Sequence, residues 1–253
     1  MRIYAMTGGS NGMGAAAKKM IEDRGDKVIN VDIEGTDIIA DLGTKEGRAK
    51  AIDEIWKAAP DGLDGFMAVA GVGPYSPDYP LITSVNYFGA KAVAEGVKGL
   101  LRMKKGSAVI VTSNSSVMPN INKNIVKLML EDDDEGKTRE FAATLDGFNA
   151  YAGSKLALTR WVRRSAPAWA KDGIRLNAVA PGMTKTAMLE EALNSELFGK
   201  SLRNLEMPIG RYAEPEEVAE CILFLLSKKA SACCGAVLFA DGGTDVTFRP
   251  DSY

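Results

Sequence analysis

The chain has 253 residues and a mass of 27.0 kDa, which suits one large domain better than two. Hydrophobic residues make up 46% of it and charged residues 25%, a composition typical of a folded protein with a substantial core. The formal net charge of −2 gives no excess positive field to hold a phosphate backbone, so nucleic acid is not expected as a partner. The sequence contains no histidine, so any general acid or base must be Tyr, Lys, Asp, Glu or Cys.

No metal site is expected. Zinc sites that need imidazole are excluded, and Cys221, Cys233 and Cys234 lack the paired spacing of a thiolate site. Their apolar surroundings predict buried thiols in a reducing compartment.

Residues 2–7 are typical of a buried strand rather than a targeting segment, and no uncharged run reaches the ~18 residues that a membrane span requires. We therefore expect a cytoplasmic protein with no membrane partner.

Short apolar runs alternate with helical segments along the chain. Strands are expected at 3–6, 28–31, 37–40, 66–69, 108–112, 175–179 and 236–239, and helices at 13–24, 44–59, 81–103, 149–170 and 214–227. Parallel neighbours need crossover connections, so this alternation predicts a single α/β domain, residues 1–253, built on a Rossmann-type doubly wound parallel seven-stranded sheet with helices on both faces. The ligand crevice of such a sheet lies at the carboxyl ends of its strands.

Two segments interrupt the alternation. Residues 118–148 form an insertion that carries an acidic run at 131–135, which we interpret as a solvated face or a helix start. The apolar residues of the insertion, among them Ile121, Ile125 and Met129, would form either a wall over the substrate or an altered subunit contact.

Residues 183–207 are rich in Met, Leu and Thr, and we expect them to cover a bulky apolar substrate. Ordinary core packing is the alternative for this segment.

A glycine-rich turn follows the first strand and opens the first helix. Gly8, Gly12 and Gly14 would permit positive φ angles and let the backbone approach a pyrophosphate, whose charge is stabilised by free N–H groups at a helix N-terminus. A glycine turn by itself can also serve only to pack a helix on a sheet. Its position after the first strand favours the dinucleotide interpretation.

Two carboxylates end the next two strands. Asp32 would accept hydrogen bonds from the adenosine ribose hydroxyls and would repel a 2′-phosphate, which favours NAD over NADP. A turn residue or helix cap is the alternative role for Asp32. Asp41 would reach the adenine amino group.

Tyr151 and Lys155 are four residues apart on an expected helix, and therefore lie on one face of it. A phenol is a poor acid and a poor base at neutral pH, because its unperturbed pKa is about 10. A nearby ammonium and a cationic nicotinamide would both favour phenolate. The pair would then make one usable proton donor. Tyr-x-x-x-Lys spacing often occurs by chance. The evidence for a functional pair is therefore its position after the serines that follow the fifth strand.

Together these motifs resemble the short-chain dehydrogenase/reductase family. The resemblance spans nearly the whole chain and includes the glycine turn at 7–14, Asn86, the serines after strand five, Tyr151-x-x-x-Lys155 and Pro181-Gly182. Within the family the chain is most similar to the bacterial 3α-hydroxysteroid dehydrogenase/carbonyl reductase group, through residues 40–42, 84–90, 151–155, 241–243 and 248–250. The family's Asn-Asn-Ala-Gly after strand four is Ala-Val-Ala-Gly at 68–71, so only Ala70 and Gly71 keep their backbone role beside the adenosine.

The resemblance implies a role for each site residue. Tyr151 would transfer the proton to or from the substrate oxygen, Lys155 would hold the nicotinamide ribose and lower the phenol pKa, and Ser113, with Ser115 as the alternative, would hydrogen-bond the same oxygen. Asn86 would hold a water that links Lys155 to solvent, and Thr184 would contact the nicotinamide carboxamide or the pyrophosphate. The NAD-binding residues would be Gly8, Ser10, Asn11, Gly12, Met13, Asp32, Asp41, Leu42, Ala70, Gly71, Tyr151, Lys155 and Thr184.

These inferences predict an NAD-dependent oxidoreductase that reversibly interconverts a secondary alcohol and a ketone, with a hydroxysteroid or bile acid as the substrate. One alternative is a carbonyl reductase that acts on smaller ketones or sugars. Another is a sensor that binds NAD without turnover, and the set of Ser113, Tyr151 and Lys155 argues against it because a sensor has no need for all three. We expect a homodimer or homotetramer.

Overall fold

The computed structural model describes residues 1–205 and 207–252. Seven strands form one parallel sheet in the order β3-β2-β1-β4-β5-β6-β7. The strands are β1 (Ile3–Thr7), β2 (Lys27–Asp32), β3 (Ile38–Ile39), β4 (Gly65–Ala68), β5 (Ser107–Val111), β6 (Arg175–Pro181) and β7 (Val237–Ala240). The predicted fold class is confirmed, and each predicted strand is present.

Helices cover both faces of the sheet. They are α1 (Gly12–Glu22), α2 (Lys45–Ala58), α3 (Tyr79–Thr83), α4 (Ala90–Gly96), α5 (Lys98–Lys104), α6 (Lys123–Leu130), α7 (Glu135–Ala142), α8 (Gly147–Lys171), α9 (Ala187–Asn194), α10 (Gly199–Arg203), α11 (Pro215–Leu226) and α12 (Thr244–Phe248). A π-helical turn spans Ser84–Gly89, and 3₁₀ turns span Asn114–Val117 and Lys228–Ala230. No helix within residues 1–205 or 207–252 has the length and apolarity needed to cross a bilayer.

The sheet separates two hydrophobic cores, because successive side chains of a strand point to opposite faces. On one face, Ala5, Phe66 and Ile110 pack with α2, α4 and α8. On the other face, Met6 and Val109 belong to the core that includes α1 and α11. This arrangement leaves the carboxyl ends of the strands at one edge of the sheet, where the loops meet.

The prediction of one continuous helix over 81–103 is wrong, because the structure divides this segment into several helical pieces. The segment consists of α3, the π-helical turn, α4 and α5. A π turn inserts an extra residue into a helix and changes the direction in which its side chains point, and such turns are often found at functional sites. Asn86 lies in this turn. Hydrophobic periodicity carries no signal for it, because every residue from Asn86 to Gly89 is buried.

The insertion forms α6 and α7, which pack on α8 and α3. Ile125 and Met129 are fully buried against the core of the same chain. Ile125 also contacts Gly153 of α8, where a Cβ would lie 2.6 Å from a methyl group of the isoleucine. These two side chains therefore serve the core of their own subunit, a third role beside the two that the sequence left open.

The cover expected over 183–207 contains α9 and α10, and residue 206 lies outside the described residues. The cysteines are free: Cys221 and Cys233 are half-buried, but Cys234 is exposed, so the prediction of three buried thiols is wrong for Cys234. Cys234 lies on the turn just before β7. This strand is at the edge of the sheet and pairs with β6 on one side.

Candidate active site

A crevice of about 490 Å³ lies across the carboxyl ends of β1 to β4, a volume in the range of small-molecule sites. It brings together nine of the predicted cofactor residues: Gly8, Asn11, Gly12, Met13, Asp32, Asp41, Leu42, Ala70 and Gly71. The rest of its lining is largely apolar, with Gly14, Val31, Ile33, Ala40, Val69, Val72, Leu81, Val85, Thr186, Ala187 and Met188. Ser10, Asn86, Ser113, Tyr151, Lys155 and Thr184 lie outside this lining.

The glycine turn leaves no room for side chains. Gly8 and Gly12 have φ angles of +77° and +52°, in the left-handed region that favours glycine. A Cβ at Gly8 would lie 2.4 Å from the backbone nitrogen of Ala70, and a Cβ at Gly14 would lie 1.9 Å from the carbonyl oxygen of Gly8. The backbone of the turn thus forms a wall of the crevice itself.

Asn30 of β2 supports this turn, and the sequence analysis missed it. The backbone N–H of Gly9 donates to Asn30 Oδ1 at 2.9 Å, and the Asn30 side-chain amide donates to Ser10 Oγ at 3.3 Å. The residue is almost fully buried. A polar residue inside the apolar run 28–31 was the available signal, because a buried amide needs hydrogen-bond partners.

Asp32 takes the turn role that the sequence offered as the alternative, and it also faces the crevice. Its carboxylate accepts from the backbone N–H groups of Ser10 at 3.1 Å and Ile33 at 2.9 Å, so it holds the turn, and it also lines the crevice. Asp41 is exposed and accepts from the backbone N–H of Gly43 at 2.8 Å. Each carboxylate retains acceptor capacity, since a carboxylate offers about four lone-pair sites.

Lys155 lies in the buried face of α8 beside Tyr151. Its Nζ donates to the carbonyl oxygen of Val111 at 3.1 Å and lies 5.8 Å from the centroid of the Tyr151 ring. A Cβ at Gly71 would be 3.5 Å from the same Nζ, so the amine adjoins the crevice wall. Burial lowers the pKa of Lys155 to about 8, because a desolvated ammonium is disfavoured. Within the described part of the chain, no carboxylate forms an ion pair with it.

Burial also raises the pKa of the Tyr151 phenol above 10, and a hydrogen bond with the Ser113 side chain acts in the opposite direction. Burial outweighs this hydrogen bond, so the protein groups alone keep the phenol protonated at neutral pH. Ser113 is itself held in place, because its Oγ accepts from the backbone N–H of Ser115 at 3.1 Å. The hydroxyls of Ser115 and Ser116 are buried and have no partner among the described residues.

Asn86 and Thr184 make backbone contacts. Asn86 Oδ1 accepts from the N–H of Val72 at 2.8 Å, and its side-chain amide donates to the Val72 carbonyl at 3.0 Å. The asparagine therefore fixes the segment after β4 where it lines the crevice. Thr184 donates to the carbonyl of Gly182 at 3.1 Å, whereas Thr186 is the threonine of this loop that lines the crevice.

Tyr75 is a further residue that the sequence analysis missed. Burial raises the pKa of its phenol, with further contributions from a hydrogen bond to Glu191 of α9 and from the charge of Tyr151. Its phenol is therefore close enough to Glu191 of α9 and to Tyr151 of α8 for both to affect its pKa. No sequence pattern marks it, because the loop after β4 meets α9 only in the folded chain.

Comparisons with known proteins agree with this geometry. Residues 140–245 match the family model described as enoyl-(acyl carrier protein) reductase. The chain is 40% identical to the 3-alpha-hydroxysteroid dehydrogenase/carbonyl reductase of Comamonas testosteroni over the full length of both. It is 30% identical to the 2,5-dichloro-2,5-cyclohexadiene-1,4-diol dehydrogenase of Sphingobium indicum, over 96% of each chain.

Among solved structures, the 3-alpha-hydroxysteroid dehydrogenase from Pseudomonas sp. B-0831, complexed with NADH, is similar with a TM-score of 0.97 and 39% identity, covering 99% of this chain and 100% of that one. The chain therefore belongs to the short-chain dehydrogenase/reductase family, as its motifs predicted. It is an oxidoreductase that is similar to hydroxysteroid dehydrogenases.

Proposed function

We propose that the protein uses NAD to interconvert a secondary alcohol and a ketone, with a hydroxysteroid or a similarly large apolar molecule as its substrate. The observation that carries the proposal is the buried Lys155 ammonium, which lies beside the Tyr151 ring and adjoins the crevice wall at Gly71. Relatives whose names include hydroxysteroid dehydrogenase match the whole chain and support the choice of substrate.

The crevice fits a dinucleotide on its own geometry. The pyrophosphate would lie against the backbone of residues 11–13 at the N-terminus of α1, where free N–H groups stabilise an anion. The ribose hydroxyls would donate to Asp32, and the apolar wall that includes Ile33 and Leu42 would contact the adenine, with Asp41 at its amino group. When bound, NAD supplies the hydride donor or acceptor.

Tyr151 is the proton-transfer residue in this proposal. During carbonyl reduction the carbonyl carbon gains a hydride, and the phenol O–H gives its proton to the oxygen that becomes the hydroxyl. The raised pKa of Tyr151 keeps the proton in place at neutral pH, so the group is ready as an acid. Alcohol oxidation needs the phenolate, which the positive charges of Lys155 and of the oxidised nicotinamide favour.

The neighbouring polar residues orient the reacting groups. Ser113 would hydrogen-bond the substrate oxygen, and Lys155 would hold the nicotinamide ribose. Asn86 would hold the water that connects Lys155 to solvent, and Thr184 would contact the carboxamide or the pyrophosphate. These roles follow from the family resemblance. The positions of Ser113 and Lys155 beside Tyr151 support the first two, and Asn86 lies beside Lys155 at Gly71.

Residues 183–207 are proposed to cover the substrate, because they are rich in Met, Leu and Thr. Met188 of α9 lines the cofactor crevice, so the choice of a bulky apolar substrate rests on the names of the relatives. We also propose that the protein works in the cytoplasm as a homodimer or homotetramer.

Replacement of the phenol tests the reaction. Tyr151→Phe should lower kcat by at least ~10²-fold while NADH binding stays close to that of the wild type, since the hydroxyl mainly transfers a proton. Tyr4→Phe is the matched control, because Tyr4 lies at the opposite end of β1 and should leave kcat unchanged. Turnover by Tyr151→Phe at the wild-type rate would refute the assigned role.

A substrate panel separates the alternatives. NADH consumption is measured with steroid ketones, small ketones and keto sugars at matched concentrations. We expect the highest kcat/KM for a steroid ketone. Preference for a small ketone would favour a general carbonyl reductase, and NADH binding without consumption on any ketone would favour a sensor.

A further inference from the structure

We propose that Arg48 and Glu135 are positioning residues for the adenosine half of NAD, and that they make the insertion 118–148 a structural support of the cofactor crevice. This inference rests on the proposed function. Both residues lie outside the crevice lining and outside every motif on which the proposed function depends.

Arg48, in the first turn of α2, makes contacts in three directions. Its Nε donates to the carbonyl oxygen of Leu42 at 2.7 Å, and its Nη2 donates to the carbonyl oxygen of Ser84 at 3.0 Å. Nη1 and Nη2 bind the two carboxylate oxygens of Glu135 at 2.8 and 2.6 Å. The residue is 6% exposed. A guanidinium is a rigid, planar group of donors, so Arg48 holds Leu42, Ser84 and Glu135 at fixed positions relative to one another.

Two of these contacts lead directly to the crevice. Leu42 lines it together with Asp41. Ser84 begins the π-helical turn that carries Asn86, and Asn86 holds the crevice residue Val72 by two hydrogen bonds. A single side chain thus connects both walls that would enclose the adenosine.

The loop that carries Asp41 and Leu42 is closely packed against its neighbours. A Cβ at Gly47 would lie 1.9 Å from the carbonyl oxygen of Asp41, and a Cβ at Gly89 would lie 3.0 Å from that of Leu42. The backbone of this loop therefore rests directly on α2 and on the π-helical turn. Because close-packed elements transmit small displacements, a shift of the guanidinium would move the loop with it.

Glu135 fixes the guanidinium from the insertion side. Burial alone would raise the pKa of its carboxyl, but the hydrogen bonds and charge of Arg48 outweigh burial and hold this pKa below its usual value. The group is therefore ionised at neutral pH. Arg139 of the same helix also donates to Ser84 Oγ at 2.7 Å, which ties α7 to the π-helical turn a second time.

A second ion pair provides a matched control. Lys91 of α4 binds Asp133 of the insertion at 2.6 Å, so this pair joins the same insertion to the body of the protein. Neither residue lines the crevice. If the insertion mattered only for general stability, loss of either pair would have the same effect on cofactor binding.

The test compares two ligands. Dissociation constants are measured by fluorescence titration for NADH and for reduced nicotinamide mononucleotide, which lacks the adenosine half. Glu135→Gln keeps the shape of the side chain but removes its charge, and it should weaken NADH binding by about tenfold, as expected when a charged hydrogen-bonded pair is broken. Mononucleotide binding, and kcat at saturating NADH, should stay within about twofold of the wild-type values.

Arg48→Met should weaken NADH binding at least as much, and Lys91→Met should leave it unchanged. If Arg48→Met does not fold, Glu135→Gln decides the question. The inference is overturned if Glu135→Gln binds NADH as tightly as the wild type, if it weakens both ligands equally, or if Lys91→Met has the same effect. Failure of the wild-type protein to bind NADH would instead overturn the proposed function.

Discussion

Lys155 carries a buried ammonium, and no carboxylate within residues 1–205 and 207–252 forms an ion pair with it. Lys155 is 4% exposed, and its Nζ has the carbonyl of Val111 as its hydrogen-bond partner. A buried charge of this kind lowers the stability of the folded protein. In the proposed function, a cation at this position would favour phenolate at Tyr151 and would offer donors to ribose hydroxyls. The site therefore illustrates the opposition between stability and activity.

Removal of this charge should stabilise the protein that has no cofactor bound. Because the folded pKa of about 8 lies below the unfolded value, the unfolded chain binds more protons between these two values, and stability rises with pH there. Lys155→Met should raise the free energy of unfolding at pH 7 by about 1–3 kcal/mol, and this gain should shrink above pH 8. Urea unfolding at pH 7 and pH 10 measures both. A variant less stable than the wild type at pH 7 contradicts the prediction.

Asp32 should set the preference between the two dinucleotides. Its carboxylate lines the crevice and would repel a 2′-phosphate. Asp32→Asn keeps an acceptor for the backbone of the turn but loses the charge, so the ratio of kcat/KM values for NADH and NADPH should fall by about tenfold. Asp32→Ala should also lower the kcat/KM for NADH. A wild-type enzyme that prefers NADPH would disprove the ribose contact.

At the scale of elements, the sequence predicted the strands well and the connections less well. Strands such as β2 and β5 are continuous apolar runs because parallel sheets are covered on both faces, and that pattern is visible in the sequence. The π-helical turn at 84–89 is not visible, because it results from the contacts of Asn86 with Val72 in the folded chain. The position of the insertion depends in the same way on Arg48 and Glu135, which are 87 residues apart.

In the candidate site, too, the sequence showed the local patterns but not the contacts between distant parts of the chain. Gly8, Gly12, Asp32 and Tyr151 were predictable, since their residue types suit a turn, a strand end or a helix face. Tyr75 was not predictable, because Glu191 of α9 and Tyr151 of α8 come close to it only in the folded chain.

The glycine turn after β1 should tolerate no added methyl group at Gly14, in the first turn of α1. A Cβ at Gly14 would lie 1.9 Å from the Gly8 carbonyl oxygen, so the turn would have to move. Gly14→Ala should destabilise the protein by about 1–3 kcal/mol and weaken NADH binding by at least tenfold. Gly136→Ala is the control: its nearest neighbour would be 3.4 Å away on an exposed helix, so it should be neutral or stabilise by up to ~1 kcal/mol. Equal behaviour of the two variants would refute the steric argument.

For the whole molecule, the sheet ends in an edge that the chain itself leaves partly uncovered. All four residues of β7 are half-buried, and β6 is its one neighbour in the sheet. The apolar side chains of Phe224, Val246 and Phe248 are 43%, 60% and 47% exposed. Exposed apolar groups and an open strand edge favour association with a second copy.

Light scattering should therefore give a mass two or four times the 27.0 kDa of one chain. Phe224→Glu should shift the population toward the monomer, because it places a charge where an apolar contact is expected. Met103→Glu, at an apolar side chain of α5 that is 55% exposed, should not. A monomeric wild-type protein would contradict the proposal.

The Arg48–Glu135 contact also limits how this enzyme can be engineered. Segment 118–148 has the form of a module suited to transplantation onto a related scaffold, since both its ends lie near α8. A recipient without a guanidinium at the matching position would leave the partly buried Glu135 carboxylate without its bidentate partner, a change that costs several kcal/mol. A successful graft would have to carry the arginine along, although it lies 70 residues before the start of the segment.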